Sequence, residues 1–163
     1  MEKDKFILVI QENQNLIYKI CYSYCSNAEN RKDLEQEILI QLWNSFSKFD
    51  GRVKLSTWIY RIALNTAITF YRNDSKHNDK KVSIDASIIS LSDFEIVPEQ
   101  DENIALLYQF IEYLNEIDKA LILLYLDDNK LKDMAEILGI SETNVATKIC
   151  RIKKILKKQF SNN

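Results

Sequence analysis

A chain of 163 residues, 46% apolar and 28% charged, can bury the core of one ordinary domain or of two small ones. Its longest unbroken apolar run, Ala120 to Leu126, is too short to cross a bilayer, and MEKDKFILVI lacks a signal-peptide cleavage site, so a cytoplasmic protein without membrane insertion is expected. Two glycines, one proline, three cysteines and one histidine exclude a phosphate-binding loop, a dinucleotide fingerprint, a disulfide framework and a zinc site; no cofactor and no metal are expected.

Charge is segregated along the chain. Residues 1–83 carry 13 Lys+Arg against 10 Asp+Glu, residues 84–118 none against 9, and residues 119–163 9 against 5. Two mildly basic blocks around an acidic middle suggest two modules and a tether. The scarcity of turn residues points to an all-α fold.

The first predicted helix is FILVIQENQNLIYKICYSYC, with Phe6, Ile10, Ile17, Ile20, Cys21 and Tyr24 at helical spacing. Cys21 and Cys25 read as buried, reduced thiols. A second helix, DLEQEILIQLWNSF, aligns Leu34, Ile38, Leu39, Leu42, Trp43 and Phe46, with Asp33 as its cap and Gln36 three residues later. FSKFDGRVKLSTW follows as a loop in which Lys48, Arg52 and Lys54 alternate with Phe46 and Phe49.

The third helix, STWIYRIALNTAITFYR, has a packing side of Ile59, Ile62, Ala63, Thr66 and Phe70. Trp58, Arg61, Asn65 and Arg72 share another side. An aromatic, an amide and two guanidiniums in one stripe suit DNA whose bases are partly unstacked. From Asn73 to Asn103 the helical period is lost and Ser, Asp and Asn dominate, which predicts a flexible acidic linker. The expected division is therefore residues 1–72, a linker over 73–103, and residues 104–163.

After the linker come ENIALLYQFIEYL, IDKALILLYL and a short helix from Lys130 to Leu138. Gly139 supplies a left-handed stop, Ser141 a cap, and Ile140 with Val145 a hydrophobic staple for the final helix. Helix, glycine turn, helix is the helix-turn-helix pattern. Val145, Ile149, Ile152 and Leu156 line one face of the last helix, and Thr147, Arg151, Lys154 and Lys158 the other. That second face suits phosphates and guanine edges in a major groove. On these residues a regulator that binds duplex DNA unaided, and a helical adaptor, both compete; no activated nucleophile or metal site suggests an enzyme.

Together, DLEQEILIQLWNSFSKFDGRVKLSTWIYRIALNTA and LKDMAEILGISETNVATKICRIKKIL resemble bacterial RNA polymerase sigma factors of the sigma-70 family, in the extracytoplasmic-function (group IV) class. The resemblance implies residues 1–72 as a region 2-like domain and residues 104–163 as a region 4-like domain. It implies that Asp33, Leu34, Gln36, Glu37, Leu42 and Trp43 dock the clamp helices of the largest subunit of core RNA polymerase. Lys48, Phe49, Arg52, Lys54, Trp58, Arg61, Asn65 and Arg72 would recognise and open the -10 element of promoter DNA. Thr143, Thr147, Lys148, Arg151, Lys154 and Lys158 would read the -35 element. The polymerase flap region and an anti-sigma factor are further partners the resemblance implies. Many relatives begin the last helix with Thr-Val and a basic residue; Asn144, Val145 and Ala146 stand here, which moves the expected base contacts to Thr147, Lys148 and Arg151.

Overall fold

A computed structural model describes residues 1–78 and 102–161. Among them every regular element is an α-helix: α1 (Glu2–Glu12), α2 (Gln14–Tyr24), α3 (Ala28–Phe46), α4 (Leu55–Asn78), α5 (Glu102–Glu112), α6 (Glu116–Leu126), α7 (Leu131–Leu138) and α8 (Glu142–Ser161). The chain divides into two compact units, residues 1–100 and 101–163. Most of the tether expected over 73–103, residues 79–101, lies outside the described residues. At its edges the structure corrects the sequence reading, because α4 continues to Asn78 and α5 already begins at Glu102.

The first unit packs α2, α3 and α4 together, with α1 at its side. The single helix expected from Phe6 to Cys25 is two. At Asn13 the backbone leaves the helix, and the Asn13 side-chain amide donates to the Val9 carbonyl at 2.8 Å. An asparagine that satisfies the carbonyl of the preceding turn offers the chain a way out of the helical ladder. No residue of α1 is fully buried; its Phe6 ring meets Trp43 at 5.1 Å and Phe46 at 5.3 Å.

α3 starts earlier than Asp33. Asn27 caps it, its side chain accepting from the Asn30 N–H at 2.7 Å, and Asp33 lies exposed well inside the helix. The polar first turns, AENRK, hid that start from a reading based on apolar period. Leu34, Ile38 and Leu42 are completely buried at four-residue spacing. Complete burial of three branched aliphatic side chains stabilises the unit by roughly 1.5–3 kcal/mol each on transfer scales, before entropy is counted.

α4 buries Ile59, Tyr60, Ala63, Leu64, Ala67 and Ile68. The expected packing side was centred elsewhere: Ile62, Thr66 and Phe70 are only half-buried. At 3.6 residues per turn, the buried arc is rotated by about a quarter turn from the predicted one. The cause is tertiary, since α4 contacts both α2 and α3 and must bury a wide arc. Ala63 and Ala67 leave room for that close approach.

In the second unit α6 is the central helix. Ala120, Leu121, Ile122 and Leu124 are completely buried, and Leu123 nearly so. A helix apolar on all sides needs neighbours all round, and α5, α7 and α8 each pack against α6. Met134, Ala135 and Ile137 of α7 and Val145, Ile149 and Ile152 of α8 complete this core.

Candidate nucleic-acid interface

In the first unit the candidate surface is built by the α3–α4 loop and the outer side of α4. The Lys48 and Phe49 amides return to the carbonyls of Ser45 and Phe46, and Gly51 turns the chain at φ +78°. Asp50 stabilises the bend by accepting from the Arg52 N–H at 3.1 Å and pairing with Arg52 Nε at 3.0 Å. Arg52 therefore carries a nearby acid, whereas Lys48 and Lys54 are exposed. Both sides of the Asp50–Arg52 pair are solvated, so it sets local geometry and contributes little stability.

Trp58 is half-buried, its ring 5.1 Å from Phe49 and 6.3 Å from Phe46. Through Phe46 and Phe6 the stack continues to Trp43. The five rings join the loop, α1, α3 and α4. Trp58 is thus first a packing residue that holds the loop, with one edge left to solvent. Arg61 is half-buried, and Asn65 and Arg72 are exposed along the side of α4 that faces away from the core. The rotation of the buried arc keeps this stripe outside. Thr57, where the loop passes into α4, is buried.

The residues expected to dock polymerase divide in two. Leu34 and Leu42, expected among the contacts, are completely buried against the unit's own core. Their role is to hold α3 in place. Asp33 and Gln36 are exposed, Glu37 is half-buried and accepts from Gln41 Nε2 at 3.1 Å, and Trp43 is 44% exposed. Ile40, 51% exposed, shares this outward side with Trp43. Sequence reasoning passed over Ile40, although an apolar residue three before Trp43 and off the Leu34–Ile38–Leu42 line was a usable signal.

The second unit carries the helix-turn-helix as expected. Gly139 is left-handed at φ +69°, and both its N–H and that of Ile140 donate to the Ala135 carbonyl. Ser141 Oγ accepts from the Asn144 N–H at 3.1 Å. Val145, Ile149 and Ile152 face inward, while Thr143, Thr147, Arg151, Lys154 and Lys158 are exposed and Lys148 is half-buried. Thr147 donates its hydroxyl hydrogen to the Thr143 carbonyl at 2.9 Å, which leaves its oxygen lone pairs outward. Glu142 lies in the first turn of α8 and Lys158 in its last, charges that match the helix dipole. Lys153 is drawn aside over the Tyr125 ring, 5.1 Å from its centre.

Arg151 is more constrained than its exposure suggests. Its Nη2 lies 3.1 Å from Oδ2 of Asp118, a residue of α6 whose side chain is only 7% exposed. Asp118 had no place in the sequence reading, because its 33-residue separation from Arg151 leaves no local pattern.

Among the described residues no group of His, Cys, Asp and Glu side chains is arranged to hold a metal ion. Cys21 and Cys25 are buried and Cys150 is exposed, none of them in a disulfide. Burial, with the neighbouring Cys25 and Glu35, pushes the Cys21 thiol up to about 12. No described helix is long and apolar enough to cross a membrane.

Comparison with known proteins places both units in one family. The Sigma-70 region 2 pattern matches residues 9–77, and the Sigma-70 region 4 pattern residues 104–156. The ECF RNA polymerase sigma factor SigW of Bacillus subtilis is 26% identical over 170 residues, spanning 98% of this chain and 90% of that protein. Among solved structures, the sigma factor RpoE of Bartonella quintana, crystallised with the anti-sigma factor NepR, shares the fold with a TM-score of 0.73. That match has 17% identity and covers 98% of this chain and 96% of that one. CnrH, solved with the cytosolic domain of CnrY, gives a TM-score of 0.69 at 16% identity over 99% and 90% of the two chains. With two successive family patterns spanning its two helical units in order, the chain belongs to the sigma-70 family of RNA polymerase sigma factors, in the ECF class.

Proposed function

We propose that the chain binds core RNA polymerase and directs promoter-specific initiation of transcription, and that it is not an enzyme. The observation that carries this reading is the presence, in one chain, of two unlike exposed surfaces whose chemistry suits DNA. The exposed row on α8, at the mouth of a helix-turn-helix, suits the major groove of duplex DNA at the -35 element. The α3–α4 loop with Trp58, Arg61, Asn65 and Arg72 suits separated bases at the -10 element. There an aromatic wall can stack, and an exposed amide can pair with a base edge.

Duplex recognition and strand opening are then divided between residues 104–163 and residues 1–72. The outward side of α3, with Asp33, Gln36, Glu37, Ile40 and Trp43, meets the polymerase clamp helices, and the second unit meets the flap region. An anti-sigma factor is a further partner, as it is for RpoE of Bartonella quintana. The protein acts in the cytoplasm, where polymerase and promoters are.

The test is co-purification with core polymerase followed by run-off transcription on genomic fragments. Discrete start sites that require both the chain and the core are expected. Gel shifts with the chain alone should show no specific complex. Specific promoter binding without polymerase would favour a free-standing regulator and overturn this reading.

A further inference from the structure

The Asp118–Arg151 pair joins the start of α6 to the middle of α8. Asp118 is the third residue of α6, and its N–H donates to Oδ1 of the capping residue Asn115 at 2.9 Å. Its own Oδ2 accepts from Asn115 Nδ2 at 3.2 Å and from Arg151 Nη2 at 3.1 Å. Its Oδ1 is buried and has no partner among the described residues. The carboxylate is therefore fixed by its own helix start, where the helix dipole favours a negative charge. It reaches across to one arm of a guanidinium whose side chain is 56% exposed.

Two features argue against a purely structural strut. A buried carboxylate with one oxygen unmatched is a poor stabiliser, and an apolar residue of similar volume would serve the core as well or better. The arginine is not buried with it either: most of its five N–H donors stay in solvent, on the stripe that also carries Thr147 and Lys154. An exposed arginine normally samples many rotamers, and that freedom is lost on binding at about 0.5–1.5 kcal/mol for a flexible side chain. Fixing one arm from behind removes part of that cost and aims the remaining donors in one direction.

We propose that Asp118 is a positioning residue for -35 recognition, holding Arg151 ready for one defined contact in the major groove. This rests on the function proposed above. The pair acts through geometry, so it sets sequence preference more than overall affinity.

The experiment uses the full chain. In the free protein, the Arg151 side-chain Nε–H signal in nitrogen-15 spectra should show restrained motion, lost in Asp118→Asn. That substitution keeps volume and the backbone bond to Asn115. With holoenzyme, competition between the mapped promoter and duplexes altered singly at each -35 base pair should show preference at one position falling roughly five- to tenfold in Asp118→Asn. Arg151→Lys, at an exposed site that tolerates substitution, should lose the same preference while keeping its charge. Asp118→Asn should add nothing in an Arg151→Lys background.

An unrestrained Arg151 in the free chain, an unchanged preference, or tighter promoter binding by Asp118→Asn would each overturn the inference. The last outcome would mean that the carboxylate competes with DNA for the guanidinium. A holoenzyme of unsubstituted chain that ignores -35 sequence would instead overturn the proposed function, whatever the spectra show.

Discussion

Gly139→Ala isolates the conformational demand of the turn between α7 and α8. Gly139 sits at φ +69° and ψ 32°, and a Cβ built there meets no atom within 4 Å. Steric crowding by neighbours is thus absent, and the cost reduces to placing an L-residue in the left-handed region, about 1–2 kcal/mol. Alanine recovers part of this, roughly 0.4–1 kcal/mol, by restricting the unfolded chain. A net loss of about 1 kcal/mol follows, and Gly139→Asn should lose less because asparagine tolerates this region. Both N–H bonds to the Ala135 carbonyl survive either change.

Urea unfolding followed by two probes reads the effect. Trp43 and Trp58 both lie in residues 1–100, so tryptophan fluorescence reports the first unit, while far-ultraviolet circular dichroism reports all helices. The fluorescence midpoint should stay in place. A second transition seen by dichroism should move down by roughly 0.5–1 M for a loss of this size in so small a unit. A loss beyond about 3 kcal/mol would mean that the Cβ does collide. Asparagine no better than alanine would refute the left-handed backbone as the cause.

Glu37→Lys should weaken co-purification with core polymerase several-fold while leaving the dichroism melt unchanged, since the side chain is only half-buried and accepts from the exposed Gln41 amide. Asn65→Ala should leave the upstream footprint intact and reduce permanganate reactivity of thymines at the -10 element, the mirror of Arg151→Ala, which should cost about 1–3 kcal/mol of discrimination in the -35 element. Equal loss of both signals in both variants would refute the division of labour. In the folded chain at pH 8, a thiol reagent should label Cys150 alone, with Cys21 reacting only on unfolding. Because folding raises the Cys21 pKa from 9.0 to about 12, its contribution to stability is complete below pH 9 and declines as pH climbs from there towards 12. Stability that rises over that interval in the protein, relative to Cys21→Ala, would contradict the burial argument.

What the sequence determined by itself is local. Helical period, a glycine stop, a serine cap and an apolar seam suffice to specify α7, the turn and α8, since each depends on residues within a few positions of one another. The segregation of charge marked two modules, and the outward row on α8 followed from spacing alone. Tertiary structure decided whatever depends on neighbours distant in the chain. α4 turned by about a quarter from its predicted side because α2 and α3 both press on it, and small Ala63 and Ala67 allow this. Leu34 and Leu42 went wholly inside, and the apolar side chains that α3 leaves outward are Ile40 and Trp43. Trp58 was drawn into a stack with Phe49 and Phe46. Asp118 met Arg151 across 33 residues, because burying α6 on all sides brings its first turn against the middle of α8. Spacing fixes which side chains share a helix face, but only packing decides which face turns inward and what waits across the gap.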